Sequence, residues 1–195
     1  MIYKLSEIKS ENRTPIIHND SASVLNKGEK LFFMGNSYDF SKFLAALATG
    51  SDYCGLKIDC SGRVVYRDLF SGDGALAPYL SETFKKINRS DALDSILIHN
   101  DDPYHMFIDD EPDNIYKDGD VVVLDYTRYP FEIDEKDLYK YINNTLAKNP
   151  GVTIVFTANR ILPVLESTAH TIVQTKAKNT YFRGRNFIDF QTTKE

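Results

Sequence analysis

The chain has 195 residues, 42% of them hydrophobic and 26% charged, the composition of an ordinary globular domain with a sizeable core. Its net charge of −5 excludes nucleic-acid binding through bulk electrostatics, so any contact with DNA needs a local basic patch. No apolar run reaches the ~18 residues that cross a bilayer, and the opening "MIYKLSEIKSENRTP" lacks the apolar core of a secretory signal. These features read as one cytoplasmic, non-membrane domain over residues 1–195, with 1–24 as an irregular extension and Cys54 and Cys60 as free thiols.

In chain order, "LNKGEKLFFMG" predicts a turn at Gly28 and a buried strand over Leu31–Met34. Phe40, Phe43, Leu44 and Leu47 then recur at helical spacing, with Gly50 as the stop. "CGLKID" predicts a second strand, Leu56–Asp59, and the turn-rich "SGRVVYRDLFSGDG" a hairpin. Leu80, Phe84 and Ile87 mark a helix with Pro78 near its start, and "SILIHN" a third strand. Residues 101–120 read as an acidic, solvated loop around Asp109–Asp113. "DVVVLDYTR" is a continuous apolar run ending in an acid, as in strands buried on both faces. Asp134 is a suitable N-cap for a helix bearing Leu138, Tyr141, Ile142 and Leu146, and "NPG" ends it. "VTIVFTANR" is a further buried strand, and "HTIVQTK" with "YFRGRNFIDF" a closing pair.

Strands alternating with helices predict an α/β domain with a mainly parallel sheet and helices on both faces. Ligands of such sheets bind beyond the carboxyl ends of the strands. His99, His105 and His170 fall in separate segments, the two cysteines have no second pair, and no Gly-x-Ser-x-Gly elbow is present. No metal site or nucleophile motif is therefore predicted.

The order of parts resembles the RecA-like ATPase core of recombinases and of KaiC- and DnaB-type ATPases, over roughly residues 25–190. "NKGEKLFFMGNSYDFSKFLAAL" takes the place of the family's first strand and phosphate loop. "LKIDCSG" is similar to its second strand, "VVVLDYTR" to its Walker B strand with Asp125 on the metal side, and "VTIVFTANR" to the strand whose tip, here Asn159, senses the γ-phosphate. The last 24 residues of the resemblance, Ser167–Phe190, look like the family's C-terminal hairpin. The resemblance implies a nucleotide-binding constellation of Gly35, Asn36, Ser37, Ser41, Lys42, Asp125 and Asn159.

This sequence departs from the family pattern G-x-x-x-x-G-K-[ST]. Counted from Gly35, Phe40 falls on the second Gly, Ser41 on the Lys and Lys42 on the Ser/Thr that holds Mg²⁺. Lys42 would have to swing back, or align through a one-residue insertion that puts Phe43 at the hydroxyl position. The family's catalytic Glu falls on Ser61. The expectation is a degenerate, non-hydrolysing RecA-fold protein, of phage or mobile-element type, that assembles with or regulates DNA recombination or replication machinery, with no catalytic residues and no cofactor. Two alternatives stand beside it. One is a divergent, DNA-dependent ATPase using ATP and Mg²⁺ through Lys42, Asp125 and an acid such as Asp59; the other is an inhibitor that mimics a RecA-like subunit. A protein partner or a second copy is the expected associate. DNA is a further candidate through Lys176, Lys178, Arg183 and Arg185, with Tyr181 and Phe182 between them.

Overall fold

The computed structural model describes residues 14–68, 76–99, 116–127, 134–158 and 160–194. The acidic cluster at 109–113, His105 and Asn159 lie outside them. Eleven strands and four α-helices are assigned among the described residues. They are β1 (Pro15–His18), β2 (Ser23–Asn26), β3 (Lys30–Met34), α1 (Ser37–Thr49), β4 (Lys57–Ile58), β5 (Val64–Asp68), α2 (Leu76–Lys86), β6 (Ile96–His99), β7 (Val121–Tyr126), α3 (Glu135–Lys148), β8 (Thr153–Ala158), α4 (Pro163–Thr168), β9 (Thr171–Lys176), β10 (Asn179–Gly184) and β11 (Phe190–Thr193). A short 3-10 helix, Ser90–Ser95, leads into β6.

Eight strands form one sheet in the order β11-β10-β9-β3-β8-β7-β5-β6. From β9 to β6 all neighbours run parallel, and β9, β10 and β11 close the other side as an antiparallel meander. The central strands are apolar on both sides because both sides are covered. Val121 and Val123 of β7 join one core with Phe43, Leu44, Leu47, Leu80 and Phe84 of α1 and α2. Val122, Leu124 and Tyr126 join the other with Leu138 and Ile142 of α3 and Leu165 of α4. The period-2 alternation of a strand sends successive residues of one apolar run to opposite cores. Each fully buried side chain of this kind stabilises the fold by about 1.5–3 kcal/mol.

Three sequence expectations are corrected here. The LKID segment is not in the parallel sheet: Lys57 and Ile58 pair antiparallel with His18 and Ile17 of β1 in a separate three-stranded sheet, β2-β1-β4. Its exposed Lys57 and buried Ile58 are the half-buried pattern of such a strand. The neighbour of β7 is instead β5, within the segment expected to form a hairpin. The stretch 1–24, expected to be irregular, supplies β1 and the start of β2.

Candidate functional site

The carboxyl ends of β3, β5, β7 and β8 are where the fold would place a ligand. Among the described residues, what lies there is compact. Two residues, Gly35 and Asn36, join β3 to α1, and the helix begins at Ser37. Asn36 is its N-cap: its Oδ1 accepts a hydrogen bond from the Asp39 amide at 2.8 Å, and its carbonyl one from the Phe40 amide at 3.0 Å. The Ser41 hydroxyl donates to the Ser37 carbonyl at 2.6 Å. The span expected to be a polar loop, Gly35–Lys42, is thus a two-residue link followed by helix. Gly35 itself is tightly enclosed, since a Cβ there would stand 2.2 Å from Thr175 Oγ1 and 2.9 Å from the Phe33 ring.

The helical phase of α1 separates the candidate residues. Ser37 and Ser41 face Asp125 across a small cavity, together with Phe40, Tyr66 and Thr127. Phe40 is buried and meets the Phe33 ring edge-on at 5.2 Å between centroids. Lys42 lies on another side of the helix, its Nζ 5.3 Å from the centre of the Tyr38 ring. The structure therefore groups Ser37 and Ser41 with Asp125 and leaves Lys42, with Asn36, on a different surface.

Asp125 is buried and held by its own neighbourhood. Its Oδ1 accepts from the Thr127 amide at 2.8 Å and the Thr127 hydroxyl at 2.6 Å. Its Oδ2 accepts from the Tyr66 hydroxyl. The cavity beside it measures about 10 Å³, room for one water at most. Three hydrogen bonds thus fall on the two carboxylate oxygens of Asp125. Thr157, opposite Asp125 in the β7–β8 register, has a buried hydroxyl with no hydrogen-bond partner among the described residues.

Ser61 does not stand beside this cavity's strands as the resemblance implied, because β4 belongs to the other sheet. The strand in that place, β5, ends at Asp68, in backbone register with Asp125. Asp59, the acid of the ATPase alternative, follows β4 and is 2.6 Å from His18 Nε2, well exposed. No group of three or more His, Cys, Asp and Glu side chains able to hold a metal occurs among the described residues.

The basic segment is divided by its own hairpin. Lys176 and Lys178 are exposed at the β9–β10 turn, whereas Arg183 pairs with Ile172 at the far end of the ladder. Arg183 bonds Glu166 at 3.0 Å and Arg185 donates to the Ser167 carbonyl at 2.7 Å. Phe182 is buried and stacks on Phe190 at 4.8 Å, and so does not present its face to a nucleic-acid base.

Sequence reasoning did not single out the second wall of α1. There Tyr38, Lys42, Tyr53, Arg89 and Lys194 line a cleft of about 580 Å³. Burial drives the Tyr53 hydroxyl far above its ordinary pKa, with the nearby Cys54 and Asp39 adding to the shift. Burial likewise raises the Cys60 thiol and lowers Lys30, which Arg185 depresses further. Asn36 as a capping residue was the available sequence signal that this helix starts early.

No family model matches the chain, and no curated protein matches its sequence. Among solved structures it is similar to the RadB recombinase, with a TM-score of 0.51 at 12% identity, covering 85% of this chain and 86% of that one. It is also similar to an inward-facing putative metal-chelate type ABC transporter, with a TM-score of 0.48 at 13% identity over 89% and 84% of the two chains. The mainly parallel sheet, its covering helices and the C-terminal antiparallel strands are those of a RecA-like fold. Among the described residues, no helix is long and apolar enough to cross a membrane.

Proposed function

We propose that this chain is a non-hydrolysing RecA-fold protein that acts through assembly, joining or regulating DNA recombination or replication machinery in a phage or mobile element. The observation that carries this reading is the link between β3 and α1. A phosphate loop wraps its ligand with a run of open backbone N–H groups, and two residues do not make that run. The strand end is packed instead with Phe40, Tyr66 and Thr127 around Asp125. The RadB recombinase supplies the functional direction, as a recombinase of the same fold. An open sheet with β6 and β11 at its edges offers a second copy or another RecA-like subunit a place to associate.

Phosphoryl transfer depends on positioning and charge neutralisation. The loss of one such contact costs roughly 3 kcal/mol, about a hundredfold or more in rate, although such losses need not add. The decisive experiment is a phosphate-release assay with ATP and Mg²⁺, with and without single-stranded DNA, on wild type and Asp125→Asn. The expected result is background release in both. Turnover in the wild type that vanishes in Asp125→Asn would make the chain an ATPase and reject the reading.

A further inference from the structure

The 580 Å³ cleft lies on the side of α1 turned away from Asp125 and is assembled from five separate segments. Its size falls within the few hundred to a thousand Å³ typical of small-molecule sites. Its chemistry is uneven. Three cations, Lys42, Arg89 and Lys194, share it with two carboxylates, Asp39 and Asp52. Lys194 is 2.6 Å from Asp39, and both are largely buried, so that pair is internally neutral. Arg89 is already held in place: its guanidinium donates to Thr49 Oγ1 at 2.5 Å and Ser51 Oγ at 3.2 Å and bonds Asp91 at 3.2 Å. Lys42 lies beside the Tyr38 ring, and that ring is 53% exposed, an unusual position for a large aromatic. The β9–β10 turn brings Ala177 to the rim, with the exposed Lys176 and Lys178 on either side. The lining thus carries three cations against two carboxylates around one concave, partly aromatic surface.

We propose that this cleft binds a free phosphate ester of mononucleotide size, its planar ring against Tyr38 and its phosphate met by Lys42 and Arg89. An exposed ring accepts a base by stacking, and a fixed guanidinium beside an ammonium donates to phosphate oxygens. The proposal is independent of the assembly reading, because the cleft requires neither hydrolysis nor a partner. It separates nucleotide recognition from the strand end where the fold would otherwise place it.

The test is calorimetric titration of the full chain with AMP, with adenosine and inorganic phosphate as the two halves, and with a ten-nucleotide single strand as the polymeric source. AMP should bind more tightly than either half. Lys42→Ala and Tyr38→Ala should each weaken it by about tenfold or more, while Asp125→Asn leaves it unchanged. A second measurement needs no variant: Cys54 lines the cleft and Cys60 does not, so AMP should slow alkylation of Cys54 selectively. The proposal is overturned by absence of AMP binding at millimolar concentration, by affinity that survives Lys42→Ala but fails in Asp125→Asn, by binding of the oligonucleotide alone, or by Cys54 labelling indifferent to AMP.

Discussion

Asp120 and Asp125 bracket the same strand and are held by different chemistry. Asp120, just before β7, accepts from Arg63 Nη2 at 2.6 Å, Arg63 Nε at 3.1 Å and the Lys117 amide at 2.8 Å. Asp125, near the other end, accepts from two hydroxyls and an amide. The amino end of the sheet is pinned by a charge pair that ties the start of β5 to the start of β7. The carboxyl end is closed by short neutral donors that leave almost no room. Both acids are buried, yet only the second stands where a ligand belongs, so a buried carboxylate at a strand tip is weak evidence of chemistry until its donors are identified.

The largest effect should come from Asp120→Ala, which strands the Arg63 guanidinium and the Lys117 amide. Asp120 is buried but the Arg63 side chain is 37% exposed, so losing its charge-assisted hydrogen bonds should cost about 2–3 kcal/mol, measurable by urea unfolding. A loss below about 1 kcal/mol would mean the amino end is not pinned by charge. Tyr66→Phe at the opposite end should cost about 2 kcal/mol, since it leaves a buried carboxylate oxygen short of one donor. If it costs as much as Asp120→Ala, the contrast between charged and neutral bracing fails.

Acid expresses part of the first effect. Burial alone would raise the Asp120 pKa, but the Arg63 hydrogen bonds and charge and the Lys117 amide outweigh it, and the net shift is downward. The Asp120 contribution is therefore complete above the unfolded carboxyl value of about 4 and is lost as pH falls through the lower folded value. Stability of wild type should drop more steeply below that point than stability of Asp120→Asn, and parallel profiles would contradict this. The smallest change is expected for Gly35→Ala. Its Cβ would press on Thr175 Oγ1 and the Phe33 ring, but the Thr175 side chain can turn, so the cost should stay near 1 kcal/mol. A loss of several kcal/mol would show that the link between β3 and α1 is more rigid than its neighbours imply.

The legible parts of this fold were those in which one short stretch carries its own signal. The apolar runs of β7 and β8, the helical face of α1 and the Gly50 stop, where the backbone turns left-handed at φ 64°, were all readable. β5 was not, because Arg67 interrupts its apolar pattern. That arginine is buried, its guanidinium bonded to the Tyr116 and Tyr141 hydroxyls and 5.9 Å from the centre of each ring, partners 49 and 74 residues away. LKID was assigned to the wrong sheet because a short apolar piece ending in an acid resembles a parallel strand when its partner, β1, is hidden in a polar stretch. Ser41, Lys42 and Asp125 were named from the sequence without their packing, since helical phase decides that Ser41 faces Asp125 while Lys42 does not. The large cleft had no local signature at all, its walls coming from α1, residues 52–54, residues 87–89, the β9–β10 turn and Lys194 after β11.

The position of β3 also bears on how the chain is made. β3 lies between β8 and β9, so an early strand has for neighbours two of the latest. A ribosome adding ~5–20 residues per second needs on the order of ten seconds to travel from Met34 to the end of β9. Throughout that interval Leu31, Phe32 and Phe33 have neither of their partner strands. The nascent chain must carry this apolar strand unpaired for most of its synthesis, which makes that segment the natural point for a chaperone to engage and for misassociation to begin.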